Sequence, residues 1–64
     1  MILNEHLSKA LLFFDLFTVY SETKHLKRAH ESMKKYRASG GDLYTNLEAV
    51  INGLVIFHEL TTEN

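Results

Sequence analysis

Residues 37–44, RASGGDLY, contain the only adjacent glycines of the chain, Gly40 and Gly41. Because proline is absent from all 64 residues, this pair is the strongest helix-stop signal in the sequence. Arg37 stands where the dipole of a preceding helix favours a cation, and Asp42 can accept backbone N–H bonds at the start of a following helix. We therefore predict a turn at 39–42 between two helices.

The segment after this turn, residues 42–60, has the periodicity of a helix with one buried apolar side. The residues predicted to be buried recur at spacings of three and four and are Leu43, Leu47, Val50, Ile51, Leu54 and Phe57. A second apolar set lies on another side of this helix, where an exposed helix would carry polar residues, and consists of Ala49, Gly53, Ile56 and Leu60.

Gly53 is the most unusual member of this second set. Glycine inside a helix costs roughly 1 kcal/mol relative to alanine, and a residue without a side chain lets another backbone approach closely. We predict that the second set forms an oligomer interface. The alternative is a tolerated glycine beside a few exposed apolar side chains.

The region before the turn, residues 4–38, forms either one long helix or two shorter ones. At about 100° per residue, the apolar residues of its two halves fall on opposite sides of a continuous helix. In the first half they are Leu12, Phe13, Leu16, Phe17 and Tyr20, and in the second half Leu26, Ala29, Met33 and Tyr36. A break at Ser21, with Ser21 as the N-cap of the second helix, allows each half to bury its own side.

The alternative is a helical hairpin with a long first helix. Its support is an uninterrupted heptad seam formed by Leu12, Leu16, Val19, Thr23, Leu26, His30 and Met33. The favoured fold is an all-α bundle of three short helices, at about 4–20, 22–38 and 42–60, because each of the first two helices can then bury its own apolar side.

Size and composition indicate a single helical domain, residues 1–64, that needs support from outside. A chain of 64 residues lies in the range where one hydrophobic core is marginal, and without cysteine it can form neither a disulfide nor a thiolate metal site. An apolar content of 45% supplies more apolar surface than so small a bundle readily hides. We predict a homo-oligomer, with a dimer favoured.

Positive charge is concentrated in the middle of the chain. Six of the seven lysine and arginine residues lie between Lys24 and Arg37, although the formal net charge is -1. Five of them share about a third of the circumference of the second helix, interrupted by Glu31. This basic face consists of Lys24, Lys27, Arg28, Lys34 and Lys35.

Such a face can bind an acidic protein surface or the phosphates of nucleic acid, or it can be an ordinary solvated face. The second helix contains neither Asn nor Gln, and the net charge is negative, so base-specific recognition is disfavoured.

No catalytic, metal-binding or cofactor-binding pattern is evident. The chain has no cysteine, and its serines lie in no nucleophile motif. His25 and His30 point about 140° apart on a helix and cannot bind one ion together. The most apolar run, residues 10–20, is about half as long as a membrane-spanning helix and contains Asp15. We predict a cytoplasmic location; a helix lying on a membrane surface is a weaker alternative.

The sequence therefore favours a small non-enzymatic interaction or regulatory protein that self-associates and binds a macromolecule through the basic face. The alternative is a nucleic-acid-binding protein that uses Lys24–Lys35 for phosphate contacts. A chain of this size without catalytic motifs is also typical of small accessory proteins of phages and mobile elements.

Overall fold

Three α-helices make up most of residues 4–58, the part of the chain that the computed structural model describes. They are α1 (Glu5–Tyr20), α2 (Thr23–Ala38) and α3 (Thr45–Phe57). The predicted all-α bundle of three short helices is confirmed. The helical hairpin is wrong, because α1 and α2 are separate helices. Leu60, and with it the predicted end of the third helix, lies outside the described residues.

The joint between α1 and α2 is at the predicted place but has a different cap. Ser21 adopts the left-handed conformation, with φ of 58°, and its backbone N–H donates to Phe17 O at 2.7 Å. It therefore ends α1, and the prediction that it is the N-cap of the next helix is wrong. Glu22 occupies that position without a side-chain capping bond. A residue in the left-handed region stops a helix without glycine or proline, at some cost in backbone strain.

The glycine pair ends α2 as predicted. Gly40 has φ of 96°, Gly40 N–H donates to Arg37 O at 3.0 Å, and Gly41 N–H donates to Tyr36 O at 3.0 Å. These two bonds form a Schellman motif, which satisfies carbonyls at the helix end. The Tyr36 ring lies directly against the Gly41 Cα, where a Cβ would overlap it. Glycine is needed at both positions, first for conformation and then for space.

The third helix begins at Thr45, three residues later than predicted, so Asp42 is not its cap. Leu43 N–H donates to the hydroxyl of the buried Tyr36 at 3.0 Å, which holds the segment after the glycines against the end of α2. Tyr44 then adopts the left-handed conformation, with φ of 59°, and precedes the first helical residue. This turn depends on a side chain seven residues earlier, which local sequence preference does not show.

The core is centred on α2, which packs against both other helices. The predicted stripe of α2 is confirmed: Leu26, Ala29, Met33 and Tyr36 are all buried. Leu7 and Ala10 of α1 and Ile51 and Val55 of α3 complete the buried set. Asn4 Nδ2 donates to Ser39 Oγ at 3.2 Å, so the start of α1 lies beside the end of α2 and the two helices run antiparallel.

The predicted apolar sides of α1 and α3 are partly wrong. On α1, Leu12 and Tyr20 are exposed, while Leu7 and Ala10, which the prediction omitted, are buried. Of the residues predicted to be buried in the third helix, Val50, Phe57 and Leu43, which lies before α3, are exposed. Ile51 and the omitted Val55 are buried. In both helices apolar residues occur all around the axis, so their spacing alone is compatible with more than one buried side.

Candidate interaction surfaces

The basic face occupies the side of α2 that is opposite its buried stripe. Its five cations, Lys24, Lys27, Arg28, Lys34 and Lys35, are all exposed. Because α1 and α3 pack on the other side, these residues stay exposed, and only Arg28 reaches a ring of α1. Over the 12 residues from Lys24 to Lys35, α2 rises by about 16 Å. The surface is thus a positively charged strip along one helix.

Some of these cations already have partners within the protein. Lys24 Nζ lies 3.3 Å from Glu22 Oε1, and the Arg28 guanidinium lies 5.7 Å from the centroid of the Phe13 ring. Lys27, Lys34 and Lys35 form no salt bridge with any residue of 4–58. These three lysines are the most available to an anionic partner.

Arg37 lies outside the basic face, as predicted, and has a structural role. Its Nε donates to Glu48 Oε1 at 2.7 Å, with both side chains largely buried, and its Nη1 donates to Gly41 O at 3.0 Å. The guanidinium therefore ties the end of α2 to α3 and to the turn between them. A charge used in this way is not free to bind a partner.

The side of α3 that faces away from the core is apolar. We call this the outward face of α3 and define it as Ala49, Val50, Gly53, Ile56 and Phe57, all of which are exposed. Ile56 is 70% exposed, Phe57 77% and Val50 49%. The sequence prediction included Ala49, Gly53 and Ile56 but assigned Val50 and Phe57 to the core. Phe57 lies about 120° from the buried Ile51 around the axis, so measuring the angle from Ile51 would have placed Phe57 outside the core side.

Gly53 has no structural explanation within one copy of the protein. A Cβ built on it would meet nothing within 4 Å, and its φ is not in the left-handed region. Alanine would fit there and would favour the helix by roughly 1 kcal/mol. The glycine therefore lowers helix stability without relieving a clash or allowing a turn.

The outer side of α1 is more mixed. Leu12 is 55% exposed and Val19 68%, but the exposed Ser8 and Asp15 lie beside them. Polar and charged side chains interrupt this surface. None occurs among the five residues of the outward face of α3, and the polar Asn46 lies on that side only in the first turn of the helix. The α3 surface is accordingly the stronger candidate for an apolar contact.

His30 is half-buried. Burial lowers the pKa of His30 below its ordinary value of 6.5, and the charge of Lys34 lowers it further, against the opposing effects of Glu31 and Glu48. Within residues 4–58, no three His, Asp or Glu side chains come together as a metal site.

This pKa shift predicts a pH dependence of stability. Because the folded state holds the proton of His30 less tightly than the unfolded state, stability is greatest above pH 6.5 and falls as the pH drops through and below that value. Urea unfolding at pH 7.5 and 5.5 should show a smaller loss of stability for His30→Asn than for the unsubstituted protein. Equal losses would contradict the role assigned to His30.

Comparisons with protein-family models, curated proteins and solved structures return no match. Within residues 4–58, each helix is too short or too polar to cross a membrane. The fold and its surfaces define a small all-α helical bundle with one basic face and one exposed apolar face.

Proposed function

We propose that this protein is a small non-enzymatic interaction protein that self-associates and binds an anionic macromolecule through the basic face. The main support is the arrangement of charge on α2. Five cations are exposed on one side of that helix, and four of them, Lys27, Arg28, Lys34 and Lys35, form no salt bridge to any described residue, while Arg37 is held in an internal pair. The cytoplasmic location stays a prediction.

An acidic protein surface is the favoured partner. Glu31 is exposed within the basic face, about one helical turn from Lys27 and Lys35. A row of phosphates would be repelled by this carboxylate, whereas a protein surface can place a cation opposite it. Nucleic acid is the second candidate, supported by the number of exposed lysines and the counterion release that they allow.

Fluorescence anisotropy can test this function with two labelled probes, a glutamate-rich peptide and a single-stranded oligonucleotide of equal net charge. We expect both to bind in a salt-dependent manner at 50 mM salt, since both are anionic. Tighter binding of the peptide supports the acidic-protein partner, and tighter binding of the oligonucleotide favours the second candidate. If neither probe binds at low salt, the proposed function of the basic face is wrong.

Substitution of Glu31 tests the electrostatics of the basic face directly. Glu31→Gln removes the negative charge from its centre and should tighten binding of either probe by about threefold, the effect of one charge at short range in water. Asp15→Asn is the matched control, because it removes the same charge from an exposed position on α1. An equal gain from both substitutions would mean that only net charge matters.

Self-association is measured by sedimentation equilibrium between micromolar and millimolar concentration. The exposed outward face of α3 supports a dimer. A rising average mass is the expected result, and a constant monomer mass would remove self-association from the proposal.

A further inference from the structure

Helix α3 is apolar on nearly every side. Between Leu47 and Phe57 only Glu48 and Asn52 are polar, and Glu48 is already paired with Arg37. A helix with this composition is normally buried all round, because its exposure to water is unfavourable. The core covers one side of α3 through Ile51 and Val55, but the outward face is uncovered in the described part of the chain.

The residues of the outward face of α3 are spaced symmetrically on either side of Gly53. Ala49 lies four residues before the glycine and Phe57 four residues after it, while Val50 and Ile56 lie three residues on either side. Two antiparallel copies crossing at Gly53 would therefore place Ala49 opposite Phe57, and Val50 opposite Ile56. Each large side chain would meet a smaller one, as close packing requires.

We propose that the outward face of α3 binds the same face of a second copy of this chain, with the two helices antiparallel and Gly53 on the twofold axis. The inference rests on the self-association proposed above and specifies its geometry. It also explains Gly53, because two backbones without Cβ atoms at the crossing point can approach closely. The antiparallel orientation brings opposite ends of the two helix dipoles together.

A second copy fits this face better than an unrelated charged partner. The face has no charged side chain to select such a partner, and its small and large residues complement one another under a twofold rotation. Because the basic face is on α2, a dimer formed through α3 leaves Lys27, Lys34 and Lys35 available.

The area of the face predicts a weak dimer. If a fully exposed aromatic side chain offers about 150–250 Å², then Phe57, Ile56 and Val50 together contribute roughly 400 Å² per copy. A standard stable interface buries about 800 Å² on each partner, so the dimer should be reversible and concentration-dependent.

Cysteine cross-linking tests the geometry, because the chain contains no cysteine of its own. Ala49→Cys and Phe57→Cys place thiols four residues on either side of Gly53, at positions that the antiparallel arrangement brings together. We expect a mixture of the two variants to form a disulfide-linked dimer under mild oxidation, since a disulfide needs Cα atoms within about 7 Å. Ala49→Cys alone and Phe57→Cys alone should not cross-link. Ser8→Cys, exposed on α1, is the control for random collision.

Gly53→Leu provides a second measurement without oxidation. Leucine is a good helix former, so the protomer should keep its circular dichroism spectrum, while its side chain keeps the two backbones apart. We expect a dimer dissociation constant at least tenfold higher than that of the unsubstituted protein, measured by sedimentation equilibrium.

The outcomes separate the geometry from self-association itself. If the unsubstituted protein dimerises but the mixture of Ala49→Cys and Phe57→Cys does not cross-link, or if Ala49→Cys cross-links alone as readily, the antiparallel arrangement is wrong and self-association stands. A strictly monomeric protein up to millimolar concentration overturns both. Anion binding by α2 is tested independently by the anisotropy titrations.

Discussion

Replacement of Leu26 by alanine is expected to unfold most of the protein at 25 °C. Leu26 is fully buried at the centre of α2, the helix that packs against both others. Truncating such a leucine costs about 2–5 kcal/mol, from lost burial and from the cavity that remains. A single core in a chain of this size supplies about 3–5 kcal/mol in total, so the substitution removes most of the stability. Loss of ellipticity at 222 nm and of a cooperative urea transition is the expected result.

Leu12→Ala is the matched control for this substitution. The residue type and the change are the same, but Leu12 is 55% exposed on α1. A surface change of this kind usually alters stability by less than about 0.5 kcal/mol. If the two variants, Leu26→Ala and Leu12→Ala, unfolded at the same urea midpoint, the assignment of Leu26 to the core would be contradicted.

The contrast between these two leucines shows where sequence reasoning succeeds. Helix α2 is polar except for one narrow stripe, so spacing identifies Leu26, Ala29, Met33 and Tyr36 as its only possible core side. Helix α1 carries apolar residues on both sides, and spacing therefore placed the exposed Leu12 with the residues predicted to be buried. A partner helix decides between two such sides, and its position is not contained in the local pattern.

The joints between helices show the same limit. Gly40 and Gly41 mark the end of α2 because the positive φ of Gly40 and the Tyr36 ring against Gly41 exclude other residues at these two positions. The start of α3 depends instead on the long-range bond from Leu43 N–H to the Tyr36 hydroxyl, followed by the left-handed Tyr44. Asp42 has a favourable intrinsic preference for a cap position, but this tertiary contact overrides it.

The candidate surfaces were predictable to different degrees. Long charged side chains opposite a core stripe are nearly always exposed, so the residues of the basic face follow from helix phase alone. The ion pairs of the α2 cations do not follow from helix phase. The contacts of Lys24 with Glu22 and of Arg37 with Glu48 depend on how the side chains are placed. On α3, the sequence identified Ala49, Gly53 and Ile56 but not Val50 and Phe57, because all five belong to a helix that is apolar on nearly every side.

Neutralising the three lysines without ion pairs should weaken anion binding by about thirtyfold at 50 mM salt, at about threefold for each charge. The substitutions are Lys27→Gln, Lys34→Gln and Lys35→Gln, made together. All three side chains are exposed and form no salt bridge with residues 4–58, so the fold should be retained, as circular dichroism can verify. Lys9→Gln is the control, compared with Lys27→Gln alone, because it removes one exposed lysine from α1.

Salt dependence distinguishes a local site from a general effect of charge. If each of the five cations contacts one phosphate of the single-stranded oligonucleotide, the log-log slope of its affinity against salt should be about -3.5, and the triple substitution should bring it to about -1.4. A loss of affinity with an unchanged slope would mean that the lysines do not contact phosphates. Equal losses from Lys9→Gln and Lys27→Gln would show that the net charge of the protein, and not the basic face, attracts the ligand. Binding that depends on Lys27 but not on Lys9 indicates a local basic face, because the two substitutions change the net charge equally. Lys9 also lies 3.8 Å from Glu5 Oε2, in an exposed pair that Lys27 lacks.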